Sequence, residues 1–234
     1  MDLNASKYLK NRKQLSLTQM RVNEILVCVI NSYEKIIAEG IVFDYSKRGR
    51  IKKEDFLRNR LVDDYLVYEL NLIESGTENF TINKETSEEY KSFLDGELHN
   101  DPIDIHIVDS ALKDYWGKET KPYFAIECKR LISSISSYIN DTKKATERDY
   151  TRLRLPFEGQ LGFIENDKWN HKTIKKIINK NLSSNSYIET IKQLESFRVK
   201  AKFEASYLSA HKKKNKTPFS IIHLFLNYSK IVIN

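Results

Sequence analysis

The chain has 234 residues, of which 40% are hydrophobic and 30% charged, with 39 Lys+Arg against 32 Asp+Glu and a formal net charge of +7. That length suffices for one sizeable core, and no Pro/Gly/Ser-rich linker divides it, so a single domain over 1–234 is expected. The longest apolar stretch, Ile25 to Tyr33, is too short to span a bilayer, and Met1-Asp2-Leu3-Asn4 lacks a leader's apolar core, which argues for a cytoplasmic protein without a membrane partner.

The two cysteines, Cys28 and Cys128, offer neither a disulfide framework nor zinc-ligand spacing and read as reduced core residues. Excess basic charge is compatible with a polyanionic partner without requiring one.

In chain order, Ser16-Leu17-Thr18-Gln19 reads as a capping box, followed by Val22, Ile25, Leu26, Val29, Ile30, Tyr33, Ile36 and Ile37 at helical spacing until Gly40. After the basic turn Ser46-Lys47-Arg48-Gly49-Arg50, a second helical pattern runs from Lys53 to about Leu72. The polar stretch Glu74 to Asn100 predicts a short strand at Phe80-Thr81-Ile82 and a short helix near Ser87 to Leu94. Two strands then follow, Asp101 to Val108 and Pro122 to Lys129.

Ser134 to Arg154 reads as a charged helix and Gly159 to Glu165 as a buried strand. Lys172 to Leu182 predicts a basic amphipathic helix, and Tyr187 to Phe197 a further helix. Phe203 to Leu208 and Phe219 to Leu226 predict an antiparallel pair closing the sheet, joined by a lysine-rich turn from His211 to Thr217. Helices on both sides of a mixed sheet make an α/β domain.

The chemistry concentrates on the first two strands. Because side chains alternate across a strand, Glu127 and Lys129 share one face while Phe124, Ile126 and Cys128 take the other. If the strands pair as a hairpin, Asp104 joins Glu127 on that face, and two neighbouring carboxylates call for a cation or a shared proton between them. Three other acid-x-Lys triplets, at Glu89, Glu119 and Asp141, lie in polar surroundings and read as solvated surface. The bland alternative for Glu127 and Lys129 is an exposed ion pair.

The order helix, strand with Asp104, strand with Glu127-Cys128-Lys129, helix, strand resembles the PD-(D/E)XK phosphodiesterase superfamily. The likeness covers about Lys53 to Glu165. It implies a restriction-endonuclease-like mixed central sheet flanked by helices, with N-terminal helices before the core and the helices and strand pair of 170–234 after it. It further implies that Asp104 and Glu127 hold one or two Mg2+ ions, with Mn2+ as substitute, and that Lys129 positions or activates the attacking water. Glu54, near the start of the second helix, corresponds to the early acid that joins them. Asp104 is preferred to Asp101 because it lies inside the apolar run. The backbone carbonyl of Cys128 would add a metal ligand, and Gln160 matches a glutamine some relatives use to hold the site, against an equal reading as a structural strand residue. The run Phe124 to Leu131 followed by Gly159 to Phe163 is similar to bacterial members associated with restriction or phage defence.

These expectations amount to a Mg2+-dependent endonuclease acting on nucleic acid, DNA before RNA, within a defence system that could include a partner protein. A homodimer would place two sites on two strands. The alternatives are a non-catalytic nucleic-acid or protein-binding module on the same fold, and an enzyme acting on RNA or a phosphorylated small molecule. Candidate phosphate contacts are Lys47, Arg48, Arg50, Arg58, Arg130 and Lys212, Lys213 and Lys214, although a lysine run in a turn is more commonly a solvated loop. Bound metal and desolvation would lower the proton affinity of Lys129, which without metal would pair with the acids. His106 is expected as an accessory polar neighbour, His211 and His223 as structural residues, and Cys128 as too inward-facing for a thiol nucleophile.

Overall fold

The computed structural model describes residues 2–73, 80–112, 116, 122–150 and 154–233, without the side chains of 2–10 and Arg154. Helix α1 (Asp2–Ala38) is far longer than the predicted one and runs straight through the capping box. Nothing from Ala5 to Leu15 breaks a helix, and Thr18 Oγ1 donates to Gln14 O at 2.8 Å, bonding back into the preceding turn instead of capping a new one. Helix α2 (Lys53–Leu61) continues through a π turn (Val62–Leu66) into α3 (Val67–Asn71), matching the predicted second helix.

The central sheet has eight strands in the order β5-β2-β3-β4-β6-β9-β8-β7. Its first hairpin is β2 (Phe80–Ser92) and β3 (Leu98–Asp109), in register from Phe80 opposite Asp109 to Lys91 opposite Leu98. No helix forms near Ser87: exposure alternates along β2 with period two, and continuous pairing with β3 outweighs the local helical preference of Ser87 to Lys91. Strand β4 (Tyr123–Leu131) is antiparallel to β3 and parallel to β6 (Arg154–Ile164). The crossover between β4 and β6 carries helix α4 (Ser136–Glu147) and the short edge strand β5 (Arg148–Tyr150), so the predicted helix stops early.

Helix α5 (His171–Ser184) matches the basic amphipathic pattern. The helix expected over Tyr187 to Phe197 is instead strand β7 (Glu189–Ser196). Its Thr190 and Ile191, with Ile188 just before it, favour extended backbone, and Asn179 of α5 holds the strand in place, accepting from Leu194 N–H at 2.9 Å and donating to Leu194 O at 3.2 Å. Strands β8 (Ser206–Lys212) and β9 (Pro218–Asn227) form the antiparallel pair, but they do not close the sheet. Strand β9 lies inside it, parallel to β6, and β7 is the edge. A separate parallel pair joins β1 (Phe43–Asp44) to β10 (Val232–Ile233).

Two cores follow from strand alternation. On one face Ile25, Val29 and Leu57 pack with Phe124, Ile126, Cys128, Leu161, Phe163, Leu224 and Leu226. On the other, Tyr138, Ile139, Ile174 and Ile178 pack with Leu131, Tyr207 and Phe225. Gly159 lets β6 approach the first core, since a Cβ there would stand 2.8 Å from Ile126 Cγ1. Among the described residues no helix is long and apolar enough to cross a membrane.

Candidate active site

The site begins where β3 and β4 part. Their ladder runs from Val108 opposite Tyr123 to Ile105 opposite Ile126, and beyond it the Asp104 carboxylate replaces the backbone, Oδ2 accepting from Cys128 N–H at 2.7 Å. Asp104, Glu127 and Lys129 line one cleft of about 390 Å³, together with Asp141 of α4 and Glu158 of β6. The predicted sharing of a face by Asp104, Glu127 and Lys129 therefore holds, with pairing ending one residue before Asp104 and Glu127 would stand opposite one another.

Lys129 is the hub. Its Nζ lies 3.2 Å from Glu54 Oε1, 3.1 Å from Asp141 Oδ2 and 3.7 Å from Asp104 Oδ2, and donates to Cys128 O at 2.8 Å. Burial alone would weaken its hold on a proton, but the fields of Asp141, Asp104, Glu54 and Glu127 outweigh it and push the ammonium's pKa above the lysine range. Burial likewise raises the Glu54 and Asp141 carboxyls, with Lys129 opposing the rise in both. Lys129 thus pairs with three acids, and the Cys128 carbonyl is committed to it.

Helix α2 supplies the remaining contacts through one face. Glu54 and Arg58 are four residues apart, so both project toward the gap between the strands. Glu54 Oε2 accepts from Arg130 N–H at 3.0 Å, which brings the predicted early acid into the site. Arg58 requires a correction. It is not a surface phosphate contact but a buried cation, its side chain only 2% exposed, bonded to Asp104 Oδ1 at 2.9 Å and Glu85 Oε1 at 3.0 Å. Glu85 has φ of 52°, an uncommon conformation for a residue with a side chain, at the point of β2 opposite Asp104.

Asp141 was placed by sequence among solvated triplets and belongs in the site instead. Tyr138, Thr142 and Ala145 are buried at helical spacing on α4, and Asp141 stands at the border of that stripe. Glu158 lies one residue before the predicted strand; the alternation Phe157-Glu158-Gly159-Gln160-Leu161 puts it on Gln160's face. Gln160, opposite Glu127 in β6, fits the structural alternative: Nε2 donates to Tyr138 O at 2.7 Å and Oε1 accepts from Thr142 at 3.4 Å, tying α4 to the sheet.

The other candidates lie around this centre in varied states. Arg130 forms a two-bond pair with Glu165, 2.5 and 2.7 Å, over the Tyr45 ring. Arg48 donates to Ile51 O and Gly49 O, Lys47 is 3.8 Å from Asp44, and Arg50 is exposed. Lys212 pairs with Glu189 at 2.7 Å, while Lys213 and Lys214 donate to Arg148 O at 2.9 Å and Tyr187 O at 3.1 Å. Their ammonium groups brace neighbouring strands. Asp101 also lines the cleft, where it pairs with Arg148.

The His106 ring packs tilted against Tyr123, with ring centroids 4.5 Å apart and the planes at 37°. His211 and His223 share the Ser209 hydroxyl, each at 2.8 Å, and His223 reaches Tyr138 OH at 2.8 Å; burial pushes His211 down to about 4 and His223 well below the usual imidazole range, so both are neutral structural links. Burial raises the Cys128 thiol far above its usual range, which agrees with an inert core cysteine. The chain matches no protein-family model, no curated protein and no solved structure.

Proposed function

We propose that the cleft is a divalent-metal site and that the protein is a phosphodiesterase of the PD-(D/E)XK type, an Mg2+-dependent nuclease of nucleic acid, with DNA as first choice of substrate and restriction or phage defence as its setting. The observation that carries this reading is the meeting of Asp104, Glu127 and Lys129 in one cleft, with Glu54 and Asp141 on the same ammonium. Hard carboxylate oxygens are the donors Mg2+ and Mn2+ prefer. Asp141 Oδ2 is buried and accepts no well-directed hydrogen bond even though Lys129 is near, so acceptor capacity remains. Among the described residues no three acidic, imidazole or thiol side chains stand at ligand spacing. Lys129 and Arg58 occupy the space between the acids, and a metal would replace part of their pairing.

A bound divalent ion would supply charge stabilisation at the scissile phosphate. The protein's own residues account for the rest. Glu54 fixes Lys129 from the helix side, and Arg58 fixes Asp104. The acids around Lys129 strengthen its hold on the proton, which suits an ammonium that orients the attacking water and shields the phosphate's charge. Basic Lys52, Lys144 and Arg148 at the rim suit an anionic substrate.

A second reading, a binding module without turnover, is favoured by one observation: both Asp104 oxygens are already bonded, to Arg58 and to Cys128 N–H. A plasmid-nicking assay separates the two. The nuclease reading predicts Mg2+-dependent nicking that Asp104→Asn and Glu127→Ala each abolish; unchanged nicking by purified Glu127→Ala protein excludes this site, and DNA binding without nicking in Mg2+ or Mn2+ selects the module. Equal concentrations of RNA and DNA decide the substrate.

A further inference from the structure

On the α5 side of the molecule, a cavity of about 730 Å³ lies between α5, the end of β7, the start of β8 and the segment joining them. That volume falls within the range of small-molecule sites. Its charged lining comprises Lys172, Lys175, Lys176, Arg198, Lys200 and Lys202, against a single acid, Glu204. Glu204 is 3.3 Å from Lys172, and Lys200 is held by Asn31 and Glu34. Lys175, Lys176, Arg198 and Lys202 have no acidic partner among the described residues.

These cations converge from separate elements. Lys172, Lys175 and Lys176 occupy one helical face by their spacing, while Arg198 and Lys202 come from the β7 to β8 connection. Lys202 takes a φ of 69°, an unusual conformation for a lysine, in the turn that borders the cavity. The wall also carries Phe197, Phe203 and Tyr207. Tyr207 is fixed by a 2.6 Å bond between its hydroxyl and His171 Nδ1, with the Lys175 ammonium 5.4 Å from its ring.

We infer that this cavity binds a free nucleotide, its phosphates on Lys175, Lys176, Arg198 and Lys202 and its base against the aromatic wall. Four cations without an acidic partner among the described residues, gathered around one concavity, attract an anionic occupant, and rings beside them suit a flat base. Ligand-sized volume, with cations gathered around it rather than extended along a track, favours a nucleotide over a polynucleotide strand. The inference is independent of the catalytic reading, since none of these residues lines the acidic cleft.

The test is calorimetric titration of the full chain with ATP, inorganic triphosphate, adenosine and a 12-nucleotide single strand, all in EDTA so that no metal at the cleft contributes. Saturable binding of ATP is expected, with triphosphate weaker and adenosine undetected. Arg198→Ala and Lys175→Ala should each weaken ATP by about tenfold or more, as for loss of a charge-assisted phosphate contact, while Asp104→Asn binds as wild type. Melting curves of both cavity variants check that they fold, and two separate surface substitutions keep one failure from deciding the matter. Absence of ATP binding, binding unaffected by both variants, or binding of the oligonucleotide alone would each overturn the inference.

Discussion

The acidic cleft and the basic cavity use opposite charge strategies. In the cleft, Glu54, Asp104 and Asp141 surround Lys129 at 3.1 to 3.7 Å, and Arg58 holds the far side of Asp104, so most charges have an internal partner. In the cavity, one acid faces six cations. The difference teaches where a ligand's charge must act: at the cleft an incoming cation has to displace internal pairs, whereas at the cavity an incoming anion completes what the fold leaves open.

The largest effect that could break this contrast is at its hub. Lys129→Ala should lower cleavage by about a hundredfold or more, the lower range for a positioned proton-transfer or orienting group, with nucleic-acid affinity little changed. Single-turnover rates beside fluorescence anisotropy check this, and a pure binding defect would reassign Lys129 to phosphate contact. Next, Arg58→Met removes a buried cation from Asp104 and Glu85 and should cost about 2–3 kcal/mol in urea unfolding, less than for a wholly buried pair because its partners keep some solvent. A cavity substitution such as Lys176→Ala should stay within about 0.5 kcal/mol, as for exposed residues without a partner.

The cleft should also respond to pH through its buried carboxyls. Glu54 and Asp141 have carboxyl pKa values raised by burial, so the stability they confer when protonated is full below their ordinary values of 4.5 and 3.8 and is lost as pH rises through the folded values. Asp141→Asn should therefore raise the melting temperature at pH 7, with the gap closing near pH 3; a gap that widens in acid would contradict the account. Lys129 is raised too, so its contribution persists to the alkaline range and fades only above 10.5. The smallest effect is expected from Lys212→Ala with Lys214→Ala. The salt dependence of nucleic-acid binding should keep its slope, because these ammonium groups are spent on Glu189 and Tyr187 O.

The sequence was most legible where one periodicity ran unopposed. The α1, α2 and α5 patterns, the acid-bearing pair β3 and β4 and the inward Cys128 could all be read from spacing. It was least legible where tertiary pairing decided. Ser87 to Lys91 carries residues that suit a helix locally and Tyr187 to Phe197 mixes helix formers with β-branched residues, and β3 and β8 offer both segments backbone partners. In the site, Asp104, Glu127, Lys129 and Glu54 were readable because apolar runs and a helix start frame them. By sequence Asp141 reads as any surface acid, and only the packing of its helix on the sheet brings it to Lys129; Arg58 likewise reads as a phosphate contact, and only the fold sets it beside Asp104.

The central claim is that the acids of two neighbouring strands grip a divalent ion. Crystals soaked in Mn2+ and measured for its anomalous scattering test it most directly. The account predicts a peak bonded to both Asp104 and Glu127, with the Lys129 ammonium withdrawn from Asp104. No peak at these carboxylates in crystals of a protein that cleaves in the same Mn2+ solution would contradict it.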